Sequence, residues 1–330
     1  MSKKIILVVV TFLSMNVART QDFHLSMYDA GPLFLNPALT GVVDGTWRIH
    51  GQYRTQWKAV NYKPYNTALI SFDAPYKKWG FGIQLANSRA GIGNYNALQC
   101  LVSAAYTIPL TKNKAHNLSF GVQAGGTQKS MEYQLYTFNN QYITTNGGGF
   151  DQSLATNETF ASQSIIIPVV NAGAMYYYAK QQSKINPFIG FSSFNLLEPT
   201  ETFFGSNNKL PMRHYLHAGA RLNLTELVYL LPKVLIMKQG KADEQTFALD
   251  AGFYFKHAQL YFLSGMVYRT KDAAILMFGA KKNNYIAKIS YDFNTSTLNP
   301  NTNGRGGFEI SFTYVKLKEQ AKGKKICPRL

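Results

Sequence analysis

His214 and His217 stand three residues apart, close enough along the chain to suggest a shared metal. The residues around them alternate, and in a strand an odd spacing sends two side chains to opposite faces, so no common ion is expected. The other four histidines are scattered. Asp250, Asp292 and Glu309 could serve as acids or bases, but their spacing pairs none of them. The chain has no G-x-S-x-G, P-loop, H-E-x-x-H or C-x-x-C pattern, and its two cysteines, Cys100 and Cys327, lie far apart. No enzyme, cofactor or metal centre is expected. What stands out instead is charge on polar faces: Arg48, Arg54, Arg221 and Lys288. Such cations would favour anions in an open pore. In a narrow, filled interior they would need hydrogen-bonded partners.

The elements that carry these residues are legible. In WRIHGQYRTQW, residues 47–57, Trp47, Ile49, Gly51, Tyr53, Thr55 and Trp57 fall on one face of an extended chain. Arg48, His50, Gln52, Arg54 and Gln56 fall on the other. Eleven residues match what a tilted strand needs to cross a bilayer, about 9–11. The pattern recurs in 79–86, 118–125, 216–224, 247–255, 285–292 and 308–314, with aromatic or aliphatic side chains on one face and polar residues or glycine on the other. Charge inside and aliphatics outside invert the soluble arrangement, and only a closed barrel satisfies every strand edge in lipid. Segments near 47, 67, 79, 98, 118, 168, 186, 214, 233, 246, 259, 273, 285 and 307 predict an all-β, antiparallel transmembrane outer-membrane barrel of about fourteen strands.

Composition agrees. The chain is 46% hydrophobic and 14% aromatic, yet only 15% charged, below the roughly 25% of soluble domains. Its formal charge of +17 would suggest nucleic acid in a cytosolic protein. Here export points instead to anionic lipid headgroups, or to an acidic polymer or protein segment, with no nucleic-acid partner. Residues 1–20 read as a signal peptide, with Lys3 and Lys4 before the apolar run Ile5 to Met15. Cleavage falls before Gln21, with Ala18 as the alternative −1 residue.

Four regions follow: signal peptide 1–20, non-alternating segment 21–46, barrel 47–315 and basic tail 316–330. The Pro and Gly spacing of Asp29 to Gly41 rules out a spanning strand, so 21–46 lies inside the barrel as a hatch or in the periplasm. The tail is either a solvated end or a docking peptide. The second reading nominates Lys324, Lys325, Cys327, Pro328 and Arg329. Residues 74–78 and 256–258 read as tight turns, while 128–162, 200–213 and 294–306 read as long surface or mouth loops.

An ordered series of short motifs resembles the PorP/SprF family of type IX secretion membrane proteins of Bacteroidetes. It runs Leu35-Asn-Pro-Ala-Leu-Thr-Gly41, Tyr53-Arg-Thr-Gln-Trp57, Trp79-Gly-Phe-Gly82, Tyr106-Thr-Ile-Pro-Leu110, and Leu118-Ser-Phe-Gly-Val-Gln-Ala-Gly125. It continues through Leu231-Pro-Lys-Val-Leu235, Ser290-Tyr-Asp292, Gly307-Phe-Glu309 and Cys327-Pro-Arg329. The resemblance implies an outer-membrane barrel that binds, exports or anchors a surface protein, such as a gliding adhesin, through its C-terminal sorting domain. It also implies other type IX components as partners, including a periplasmic peptidoglycan-associated protein. A more distant likeness to fatty-acid-transporter barrels would make Asn36, Pro37 and Ala38 part of a plug. Arg48, Arg54, Gln56, Arg221, Asp292 and Glu309 are then the lumenal candidates to meet it. The alternative is a FadL-like or porin-like channel for a small or anionic solute.

Overall fold

The computed structural model describes residues 24–58, 63–158, 160–180, 183–205, 208–297 and 299–317. The expected signal peptide and the tail candidates Lys324, Lys325, Cys327, Pro328 and Arg329 lie outside them. The alternating segments become strands β1 (Trp47–Gln56), β2 (Tyr65–Tyr76), β3 (Trp79–Ala90), β4 (Tyr95–Pro109) and β5 (His116–Ser130). A small hairpin follows, β6 (Tyr142–Ile143) with β7 (Gly149–Phe150). Next come β8 (Ser164–Tyr178), β9 (Ile185–Phe194), β10 (Arg213–Asn223), β11 (Val228–Gln239) and β12 (Ala242–Phe255). The last four are β13 (Leu260–Arg269), β14 (Ala273–Lys282), β15 (Tyr285–Asn294) and β16 (Arg305–Lys316).

All except β6 and β7 join one antiparallel barrel, closed by pairing β1 with β16, which makes fourteen strands. Closure leaves no lipid-facing edge. Burial alternates along each strand: Ile49 is 40% exposed and His50 is 0%. The same contrast separates Val122 from Gln123 and Leu249 from Asp250. Cys100 is exposed among the outward residues of β4. Aromatic contacts on the outer face gather toward both rims, with Trp47 against Tyr314, Tyr285 against Tyr314 and Trp79 against Tyr106 at one end. Trp57 meets Tyr65, and Tyr291 meets Phe293, at the other. Such belts suit the two headgroup regions.

Turn lengths orient the molecule. The connections 77–78, 110–115, 179–184, 224–227, 256–259 and 283–284 lie at the rim where β1 starts and β16 ends. The longest ones, 131–163, 195–212 and 295–304, lie at the opposite rim. Short turns mark the periplasmic side of such barrels. Several turn expectations shift; Arg213, Asn294, Arg305 and Gly306, for example, belong to strands and not to the loops beside them. Ala74, Pro75 and Tyr76 belong to β2 and pair with Phe81, Gly80 and Trp79, leaving a two-residue turn. Lys77 takes the left-handed φ of 58° that so tight a turn demands. The long loop likewise begins only after Ser130, because β5 stays paired with β8 to that residue.

The core lies within the barrel, around residues 24–46. Helix α1 (Pro32–Leu35) opens on Pro32, whose missing N–H costs nothing at a first helical position. Asn36 ends it in extended conformation, and a 3-10 turn, Pro37–Leu39, follows at once. Tyr28 and Leu35 pack with Phe194, Tyr215, Leu235 and Met237, and Leu25 and Phe34 pack with Leu69 and Ala86. Those barrel residues face inward, so the segment supplies the apolar partners their faces require.

Candidate functional site in the barrel lumen

Strand register builds the charged part of the lumen. β1 places Arg54 opposite Glu309 of β16 and Arg48 opposite Asp73 of β2. Directly opposed side chains on one face are near neighbours, and here they carry opposite charge. Arg54 Nη2 lies 2.8 Å from Asp292 Oδ2, and Nη1 lies 3.2 Å from Glu309 Oε2. Arg269 Nη2 approaches Asp292 at 3.4 Å from the far side. The Glu309 carboxylate accepts backbone N–H groups from Ser26 at 2.7 Å and Met27 at 2.9 Å. Ser26 Oγ donates to Asp292 at 2.7 Å and also contacts Arg54 Nη1. Gln52 Nε2 donates to Met27 O at 3.2 Å and to Glu309 at 2.5 Å. Each charge in this buried cluster therefore has partners of opposite sign or polarity, as buried charge requires.

A second lock is bidentate. Arg48 Nε and Nη2 lie 2.9 and 2.8 Å from the two Asp73 oxygens. Gly41 N donates to Asp73 Oδ2 at 2.8 Å, and Arg48 Nη2 donates to Leu39 O at 3.3 Å. A third is Lys233, whose Nζ lies 2.6 Å from Asp29 and 2.5 Å from Asp250. Burial raises the cost of charging Asp29, but Lys233 and then Lys288 outweigh it and hold the carboxyl well below its usual range. His24 is pushed the other way from a salt-bridged histidine. Burial, then Arg269, Arg54 and Arg213, lower its pKa well below the ordinary value, despite Glu244 and Asp272 at 3.9 and 3.8 Å.

Asn36 is the neutral anchor. It is wholly buried; Nδ2 donates to Ala174 O at 3.2 Å and Phe191 O at 3.3 Å, and lies 3.2 Å from His217 Nε2. Its Oδ1 accepts from Ala38 N at 2.9 Å, shaping the 3-10 turn. Ser119 Oγ donates to Ala38 O and Ser192 Oγ to Leu35 O, both at 2.8 Å. Two inward glycines leave room for this. A Cβ on Gly121 would strike the Pro37 carbonyl, and one on Gly173 would strike the Asn36 side chain.

The expected residues therefore divide. Arg54, Asp292 and Glu309 meet in one cluster on Ser26 and Met27, Arg48 meets Leu39, and Asn36, Pro37 and Ala38 sit against β5, β8 and β9. Gln56 is half-buried at the end of β1, opposite Gly307 and Tyr65. Arg221 lies apart from all of these, stacked 3.9 Å over the Tyr229 ring. His217 faces inward beside Asn36, whereas His214 stacks on the outward Phe191. Sequence reasoning missed Ser26, Gln52, Asp73 and the role of Lys233. Asp73 and Gln52 carried a usable signal, being polar residues on inward faces.

The arrangement is one of mutual recognition, since each of these carboxylates is already held by cations or N–H groups. A closed fourteen-strand barrel with an apolar exterior and this charged interior defines an integral outer-membrane β-barrel protein. The chain belongs to the PorP/SprF family of type IX secretion system membrane proteins, whose model matches residues 17–314. Among solved structures it is similar to the deltaS2S3 mutant of TodX, a monoaromatic hydrocarbon channel. That match has a TM-score of 0.53 and 11% identity over 87% of this chain and 94% of the other. It is also similar to the CymD monoaromatic hydrocarbon channel, with a TM-score of 0.51 and 12% identity over 87% and 92%. At such identities these likenesses speak to fold alone. No curated protein sequence matches the chain.

Proposed function

We propose that this barrel receives or retains the C-terminal sorting domain of a type IX cargo protein and so anchors it at the cell surface. Residues 24–46 act as its plug. Family membership supports the secretion role. The observation that carries the plug reading is the set of locks at Arg54, Arg48, Lys233 and Asn36, which commit inward polar groups to the barrel's own N-terminal segment. Groups so engaged do not serve a passing solute. The long loops 131–163 and 195–212 meet at the outer rim, where Phe160 packs between Tyr133 and Phe204 and Lys129 pairs with Glu201. They supply the surface-facing side on which a cargo domain would rest. Further type IX components, including a peptidoglycan-associated protein, would dock from the periplasm.

Co-purification from native membranes tests this reading. A type IX cargo domain or periplasmic machine component should accompany the barrel. Unchanged surface display of every cargo in a strain lacking it would overturn the proposal. The competing channel reading draws on an open, cation-lined vestibule at the periplasmic rim. Planar-bilayer recording separates the two, because a channel gives stable, anion-selective conductance from the intact protein.

A further inference from the structure

Beneath the N-terminal segment, at the short-turn rim, lies a cavity of about 1230 Å³ that opens to the periplasm. Its floor includes Asp29, Pro32 and the stretch Gly41 to Asp44, and its rim is formed by the turns after β8, β10, β12 and β14. Seven Lys or Arg side chains line it against three carboxylates, Asp29, Asp44 and Glu226. Asp29 is already bound to Lys233 and Arg48 to Asp73, so the excess of positive charge survives local pairing. One wall carries three tyrosines: Tyr254 is half-buried, whereas Tyr261, 4.7 Å from it between ring centres, and Tyr229, 6.1 Å from Tyr261, are buried. Arg221 stacks on Tyr229, and its Nε donates to Asn223 Oδ1 at 2.9 Å, which fixes the plane of the guanidinium. A fixed guanidinium plane suits a carboxylate better than a mobile point charge does.

We propose that this vestibule is a receptor for an acidic, extended peptide segment of a periplasmic protein. Arg221, Lys288 and the turn lysines Lys184 and Lys256 take its carboxylates, and its chain passes beside the half-buried Tyr254. The cations are spread from the rim turns to the inner face of β15, which matches charges repeated along a chain and not a single phosphate. The inference rests on the periplasmic orientation of the short-turn rim. It does not depend on cargo binding at the outer loops, so the two can fail separately.

The test uses the full-length protein in detergent micelles and a fluorescein-labelled, alternating glutamate–tyrosine decapeptide read by anisotropy. The peptide should bind at low salt and weaken by about tenfold or more at high salt, where exposed charges are screened. The double variant Lys184→Glu/Lys256→Glu, confined to exposed turns, should lose at least about tenfold in affinity through repulsion. Arg221→Ala should lose affinity with the tyrosine wall intact. Lys271→Glu, in a turn at the opposite rim, should change nothing. Equal binding by the wild type and the double variant would overturn the assignment, as would an equal loss in Lys271→Glu. Tighter binding of polygalacturonate than of the peptide would overturn it in favour of an acidic glycan.

Discussion

At the residue scale, the lumen shows how buried charge can hold a segment in place. Arg54 lies only 2% exposed between Asp292 and Glu309, with Ser26 and Met27 on the same carboxylates. Arg54→Ala would leave two buried carboxylates without their shared cation, a loss that ordinarily costs about 3–5 kcal/mol. Thermal unfolding in detergent should show a markedly lowered transition, with the N-terminal segment becoming protease-sensitive first. Removing bulk is informative in the opposite sense at Gly121. Gly121→Val would drive a side chain into the Pro37 carbonyl while leaving every charge pair intact. Limited proteolysis should then cut within 24–46 while the barrel keeps its heat-modifiable mobility on gels. An unchanged cleavage pattern would show that the groove tolerates the extra methyls.

The segment 24–46 is the element on which the locks converge, and its docking should depend on pH. His24 has a folded pKa well below its unfolded value, so its contribution is full above the unfolded value of roughly 6.5 and is lost as pH falls below it. The groups facing it are Glu244 and Asp272 on one side and Arg269, Arg54 and Arg213 on the other. Asp29, also depressed, keeps its lock until far more acidic conditions. Release of the segment, followed by hydrogen exchange across Leu25 to Leu35, should begin between about pH 6 and 5. His24→Gln should flatten that onset. A wild-type protection factor, the exchange rate relative to the intrinsic rate at each pH, that does not change with pH would remove His24 from the lock. Deleting residues 24–46 tests the element directly. The barrel closes through β1 and β16 without it, so it should still insert, and the plug reading predicts that it conducts more than the intact protein. Silent bilayers from a correctly inserted deletion variant would show that something other than this segment blocks the path.

For the whole molecule, the two rims differ in loop length and in charge. Turns of two to six residues and a basic, tyrosine-walled vestibule face the periplasm, while the longest loops face outward. The proposed retention of an exported partner at the surface, with docking from below, would make use of this asymmetry.

Alternation in segments such as 47–57 and 118–125 was enough to place the strands, their inward faces and their number, because side-chain direction in a strand depends only on parity. The same logic set Pro32, Pro37 and Gly41 apart as residues no spanning strand would hold together. Turn edges were less legible: β2 continues through Pro75 because a left-handed Lys77 lets the chain reverse in two residues. Which inward charges meet was beyond sequence. Arg54 and Glu309 are 255 residues apart, and only barrel closure with the β1–β16 register brings them face to face. The vestibule is likewise a product of closure, since its cations come from strands and turns spread along the chain, from Arg48 to Lys288. Parity is a local property that a single strand carries, whereas partnership depends on register and curvature, which exist only once all fourteen strands have joined.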